Sequence, residues 1–527
     1  LSADHSAGLS ADQSADQSAD QSADPAVHPL ADPGLTDALG ADLRSAGYTT
    51  DGVAQMLGPD AEAALSRGVW WPAMRAARTA APEHRRLGTL VRLLLLGSDE
   101  DPDAVAAALP STAVQALIAA GVLAATTDGR VRAALDIRPH GDGARDYLVV
   151  SDQDAAMRAG PVGRDHVLGI GGASVSLARA VIRRPVARAL DLGTGCGIQA
   201  LHLDAHSDVV VATDTNARAL ALAAATARLN RMSWDLRPGN LFGPVAGERF
   251  DLIVSNPPFV VGPGARDYVY RDSGLAADTV CQNLIESVGD HLEPGGTAQI
   301  LANWVVRRGT DWRARVGGWL ADTGLDAWVV QRELADPISY VALWLSDAGE
   351  PPQDAERRGG AWLDWFAAED ITGIGMGLVT LRKPGPGTPR RPEQILEEIT
   401  GADEALTGPE VEAFLARREY LRVTGDDALL DARLSTAAVI LEEHSLPGPE
   451  GWQPISAAVR RPGGPGAVLG VDEVSRALLA GCRGQVPLGT LLELLAAHHG
   501  VDADALARAA LPVVREAIGR GILHQVP

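Results

Sequence analysis

The chain has 527 residues, of which 46% are hydrophobic and 22% charged, and its formal net charge is −22. It is too long for one ordinary core and too apolar for a disordered or fibrous chain, so several globular domains are expected. The negative charge would repel a polyanion over most of the surface, which excludes a broad nucleic-acid footprint as the default and leaves room for a local one. Three widely spaced cysteines, Cys196, Cys281 and Cys482, give neither a disulfide framework nor a thiolate metal site, and no metal is expected. The compartment read from them is a reducing cytoplasm. The longest apolar run, from Leu90 to Leu96, falls far short of the ~20 residues of a membrane span, and no signal peptide is expected.

Residues 1–34 read as a tail. Ser10 to Asp24 repeats Ser-Ala-Asp-Gln without aromatic or branched side chains, and cannot bury enough surface to offset the entropy of ordering. Residues 35–158 carry short amphipathic patterns, at 89–96 and 112–120, that lead to a turn at Asp128-Gly129. Helices before a small hairpin suit a winged-helix-like module, and equally a helical domain that only packs on its neighbour.

Residues 159–383 alternate apolar runs with helical patterns, the form of a parallel sheet covered on both faces. Strands are predicted at 187–192, 209–213, 234–237, 250–255, 297–301, 326–331 and 377–382. The intervening helices are predicted at 198–205, 217–229, 276–291, 311–322, 338–345 and 355–368. Asp336-Pro337 has the form of an N-cap followed by proline in the first turn. Residues 384–392, rich in Gly, Pro and Arg, read as a linker. Beyond it, 393–527 reads as a second helical or winged-helix-like module, helical over 393–416 and 471–518, with short strands at 436–441 and 521–524. No face of it forms a basic stripe, so protein contact is the expectation.

The chemistry concentrates in two places. Asp191-Leu192-Gly193-Thr194-Gly195-Cys196-Gly197 follows a strand and opens a helix, so its glycines let the backbone turn sharply and approach a ligand. Asp214, at the end of the next strand, stands where an acid accepts hydrogen bonds from ribose hydroxyls. The second place is Ser255-Asn256-Pro257-Pro258-Phe259. Two prolines cannot continue a sheet ladder, so the chain leaves the fourth strand at its carboxyl end, where open α/β sheets bind ligands. The Asn256 amide oxygen and the Pro257 carbonyl can accept the two hydrogens of an NH₂ group while Phe259 stacks on a planar acceptor. The gain is positioning.

Asp191 to Gly197 resembles the first motif of class I S-adenosylmethionine-dependent methyltransferases, and Asn-Pro-Pro-Phe resembles the signature of the members that methylate planar nitrogen. The resemblance covers about 200 residues. It implies a Rossmann-like seven-stranded α/β sheet and S-adenosylmethionine as cofactor. The methionine part would lie over Gly193, Thr194, Gly195 and Gly197 behind Asp191, the ribose on Asp214, and the adenine beside Asn240 and Leu241. Asn256, Pro257, Pro258 and Phe259 would form the catalytic clamp, with Asn256 also bordering the cofactor.

Tyr270-Arg271-Asp272-Ser273-Gly274-Leu275 resembles the Asp-Gly-Leu element of the HemK-type glutamine methyltransferases. Phe259 resembles instead the small-domain ribosomal RNA guanine methyltransferases. The expected acceptor is a protein glutamine amide of release-factor type, with an RNA or DNA base amino group as the alternative; expected partners are accordingly a protein substrate or structured RNA or DNA. A third reading is an inactive, S-adenosylmethionine-binding regulatory protein. Gly169 to Gly172 fit either a lid over the cofactor or an ordinary helix start. Elsewhere, His202 and His206 read as solvated or capping residues, Cys196 and Cys281 as packing, His498-His499 as a helix end, and Arg307, Arg308, Arg313 and Arg315 as solvated faces more than substrate contacts.

Overall fold

The computed structural model describes residues 30–153, 162–264, 268–348, 351–386, 391–402, 404–449 and 451–526. The predicted tail up to residue 29 and residues 387–390 of the predicted linker lie outside them.

The centre is a mixed eight-stranded sheet. Its strands are β1 (Val186–Leu192), β2 (Ser207–Asp214), β3 (Asp235–Pro238), β4 (Phe250–Ser255), β5 (Leu292–Arg307), β6 (Asp326–Ala335), β7 (Ile371–Arg382) and β8 (Gln394–Glu398). They lie in the order β8-β6-β7-β5-β4-β1-β2-β3. β3, β2, β1, β4 and β5 are parallel neighbours, while β7 is antiparallel to both β5 and β6. The order reverses at β1 and β4, the two central strands buried on both faces, so the crevice beyond their carboxyl ends is the topological switch point where this architecture takes ligands.

Helices α1 (Gly172–Ala180), α2 (Ile198–Asp204), α3 (Ala217–Leu229), α4 (Thr279–Ser287), α5 (Trp312–Leu320), α6 (Pro337–Asp347) and α7 (Pro352–Ala368) cover the sheet or connect its strands. Asp336 caps α6 as predicted, its Oδ1 accepting from the backbone N–H groups of Ile338 and Ser339 at 2.9 and 3.0 Å. α6 and α7 buttress the chain beyond the double proline: Tyr340 accepts from Val261 N at 2.9 Å and Trp362 donates to Val261 O at 3.0 Å.

Three expectations need correction. Gln394–Glu398, predicted helical, is a strand, and helix α8 begins only at Gly408 (Gly408–Val423). Helix propensity favoured Gln, Leu and Glu there, but the open edge of β6 takes the segment in parallel register from Ala327 with Gln394 to Gln331 with Glu398. The helix predicted over 471–518 is broken by a strand at Arg483–Pro487 and by Gly500 at a φ of +66°. The antiparallel ribbon Ile440–Gly448 with Gly451–Arg460 was foreseen only at its edge.

The N-terminal part runs from helix Pro33–Ser45 through several short helices to a hairpin, Leu123–Ala125 with Val131–Ala133. A second hairpin, Leu135–Gly141 with Asp146–Asp152, lies along α3. Asn230 at the end of α3 clamps it, accepting from Leu148 N at 2.9 Å and donating to Leu148 O at 2.7 Å. On the other side, the stacked rings of Trp328 and Phe414, with centroids 3.8 Å apart, seat α8 against the sheet. Among the described residues no helix is long and apolar enough to cross a membrane.

Candidate active site

The glycine turn after β1 is built by its own backbone. Gly193, Gly195 and Gly197 have φ values of +76°, +56° and +87°, a region closed to most side chains. At Gly197 a Cβ would also lie 2.6 Å from the Trp234 ring, so this glycine packs the turn against the segment entering β3. At Gly193 and Gly195 a Cβ would meet nothing within 4 Å, because the backbone there faces an open cavity.

Asp191 holds the turn from behind. Its Oδ2 accepts from the Thr194 hydroxyl at 2.7 Å and from Ala200 N at 2.9 Å. Burial pushes its carboxyl up to about 7, against the pull of these two hydrogen bonds. Asp214 spans the next turn, accepting from Gly195 N at 2.9 Å and Asn216 N at 2.8 Å. Burial raises its pKa too, and its backbone donors oppose the shift.

Across the switch point, the Ser255 hydroxyl donates to Leu192 O at 2.8 Å and ties the end of β4 to the end of β1. The Asn256 Nδ2 donates to the Ser174 hydroxyl at 3.4 Å, which orients the amide and leaves Oδ1 as an acceptor. The chain then folds back on itself through bridges between Phe259 and Asp272 and between Gly262 and Ala277. This fold-back brings Tyr270 and the buried Arg271 to the cavity wall.

Between these two constructions lies one cavity of about 620 Å³. Gly193, Thr194, Gly195, Asp214, Asn240 and Leu241 line one part, and Asn256, Pro257, Pro258 and Phe259 another. Two predicted cofactor residues do not line it. Asp191 is spent on bracing the turn, and Gly197 faces Trp234. Gly169 to Gly172 line the cavity, and just before them Val167 N donates to Asp152 at 2.9 Å and Asn216 Nδ2 donates to Asp165 O at 2.9 Å.

The family model described as the methyltransferase small domain matches residues 170–310, the segment that carries both constructions. These residues are a methyltransferase small domain, of the class I S-adenosylmethionine-dependent type. Two further models, each described as a domain of unknown function (DUF7059 and DUF7782), match residues 45–134 and 412–525. The chain is 34% identical over 118 residues to the ribosomal RNA small subunit methyltransferase C of Erwinia tasmaniensis and 36% identical over 118 residues to that of Salmonella arizonae. Each match takes in 22% of this chain and 31% of the relative, so the chain spans about a third of the length of these relatives. A T. thermophilus 16S rRNA methyltransferase solved with AdoMet and guanosine is 14% identical, with a TM-score of 0.27, over 50% of this chain and 57% of that one.

The methyltransferase domain fits S-adenosylmethionine on its own geometry. Open space stands over the Gly193 and Gly195 backbone, and the Asp214 carboxylate lines the same cavity. Sequence reasoning missed what other segments add. The hairpin Leu135–Gly141 with Asp146–Asp152 brings Asp136 and Arg138, paired at 2.7 Å, and α6 brings Trp344 and Asp347. These contacts span long stretches of chain and leave no local pattern.

The remaining expectations concern residues of which Cys196 alone lines the cavity. His202 is not solvated. It is buried against His140 of the strand Leu135–Gly141, Nε2 to Nε2 at 2.9 Å, and burial holds its pKa down to about 3. Cys196 and Cys281 are buried, and burial pushes both thiols up to about 12, in keeping with packing. Arg307, Arg308 and Arg315 pair with Glu369, Asp370 and Asp278, and Arg313 donates to Leu396 O. His498 and His499 end a helix, as read.

Proposed function

We propose that the protein methylates the exocyclic amino group of a base in RNA, guanine by the resemblance that Phe259 carries. The single observation behind this is that Asn256 and the glycine turn share one cavity at the switch point. The identity over 118 residues to proteins named ribosomal RNA methyltransferases favours a nucleobase over the glutamine amide expected first. The negative net charge requires only that the contact be local, with the base turned out into the cavity.

When bound, S-adenosylmethionine supplies an electrophilic methyl on a sulfonium sulfur. Asp214 and the Gly193–Gly195 backbone fix the donor end, and Asn256 and Pro257 fix the acceptor end. The Asn256 Oδ1 and the Pro257 carbonyl each accept one hydrogen of the amino group. This draws the nitrogen out of conjugation with its ring and turns its lone pair toward the methyl. Once the nitrogen has taken the methyl that the bound cofactor would supply, one of the two protons held by Asn256 and Pro257 would be released to water. Phe259 keeps the base plane in register, so most of the acceleration comes from orientation.

The test is incubation of the full chain with tritiated S-adenosylmethionine and cell lysate, followed by separate nuclease and protease digestion. Label lost to nuclease and recovered as a methylated base supports the proposal. Label lost only to protease returns the acceptor to a glutamine amide. No label in either fraction favours the regulatory reading.

A further inference from the structure

The acceptor part of the cavity carries a carboxylate that the clamp does not use. On α6, Leu343 and Trp344 stand four and three residues before Asp347, and all three line the cavity. Trp344 meets the Phe259 ring edge-on, with centroids 6.4 Å apart, so Asp347 stands one helical turn beyond the ring pair that borders the acceptor. The Tyr270 hydroxyl donates to Asp347 Oδ2 at 2.7 Å, the one hydrogen bond Asp347 receives among the described residues. Burial, with the charge of Asp347 beside it, holds the Tyr270 phenol far above the ordinary tyrosine range, so it stays a donor. An ionised carboxylate so anchored is an acceptor only, with lone pairs left for a ligand.

The nucleobases differ in what they show such a group. With its amino nitrogen on Asn256 and Pro257, adenine presents N1 beside it and cytosine N3, both acceptors that a carboxylate repels. Guanine held by N2 presents N1–H, a donor. A glutamine amide has no ring nitrogen to present. We propose that Asp347, positioned by Tyr270, is the specificity-determining residue that selects guanine by accepting its N1–H. The proposal rests on the base-methylation reading above and assigns it a reader. The same contact serves the chemistry, because a carboxylate hydrogen-bonded at N1 stands beside N2 and stabilises the positive charge that develops there.

The experiment titrates guanosine and 2-aminopurine riboside into the full chain saturated with S-adenosylhomocysteine. 2-Aminopurine keeps the amino group at position 2 and turns N1 from donor to acceptor. Its own fluorescence reports binding, and guanosine is measured by displacing it. Wild-type protein is expected to bind guanosine at least about tenfold tighter, the size of one good base contact. Asp347→Asn, whose amide can face either a donor or an acceptor, is expected to bring the two within a few-fold of each other while binding S-adenosylhomocysteine like the parent. Tyr270→Phe should narrow the ratio partway. Equal binding of the two nucleosides by the wild type, or an unchanged preference in Asp347→Asn, overturns the proposal and leaves base methylation standing. If the wild type binds neither, the base reading falls and the proposal with it.

Discussion

The Ser255 hydroxyl donates to the carbonyl of Leu192 across 2.8 Å, joining the carboxyl ends of β4 and β1. Each strand end carries one of the two constructions the reaction needs, the Asn-Pro-Pro-Phe clamp and the glycine turn. The bond is fully buried and fixes their separation. Ser255→Ala is therefore expected to cost about 1–3 kcal/mol of stability by urea unfolding. Methyl transfer in single turnover should fall by about tenfold or more, since small misplacement of reacting groups is expensive. A stability loss with unchanged turnover would show that the tie does not set the geometry.

Gly197 is constrained twice, by its φ of +87° and by the Trp234 ring 2.6 Å from where a Cβ would stand. Gly197→Ala should cost about 1–3 kcal/mol in backbone strain, with the steric contact adding to it. By calorimetry it should weaken S-adenosylmethionine binding although residue 197 does not line the cavity. Adding Trp234→Leu removes the steric part alone, so the double variant should recover part of the affinity and the strain should remain.

Asp191 makes stability depend on pH. Its folded pKa of about 7 lies above the ordinary carboxylate value, so between roughly pH 4 and 7 the folded chain binds a proton that the unfolded chain has released. Stability from this group is present below that window and is lost as pH rises through it. Asp191→Asn stays neutral, and its amide oxygen can still accept from Thr194 and Ala200. The melting temperature of the variant relative to the parent is expected to rise from pH 5 to pH 8, with each pH unit inside the window worth at most about 1.4 kcal/mol. A difference that is flat with pH would show that Asp191 titrates normally.

Much of the central sheet was legible because its strands are continuous apolar runs, and both motifs fall at the strand ends that the sequence pattern places at the ligand edge. What could not be read is what depends on distant partners. β8 was taken for helix because Gln394 to Glu398 favour one locally, and only pairing with β6 makes them a strand. The ribbon from Ile440 to Arg460 breaks its alternation at Pro447, Gly448 and Pro454, which hid the strands. His202 looked solvated because His140, which buries it, comes from a hairpin 62 residues earlier. Asp347 gave no signal at all, since Tyr270 lies 77 residues away and meets it only when β4 and α6 converge on the cavity.

The most direct measurement compares methyl transfer with cofactor binding in Asn256→Ala. Asn256 is ordered by Ser174 at 3.4 Å and lines the cavity shared with the glycine turn, and its amide oxygen is assigned one hydrogen of the acceptor. Tritium transfer to RNA should fall by at least about a hundredfold, the scale on which losing one positioned polar contact acts in a reaction. Affinity for S-adenosylmethionine should stay within a few-fold of the parent. Transfer at the parental rate, or affinity that collapses in step with transfer, would contradict the assignment of Asn256 as the group that holds the acceptor nitrogen.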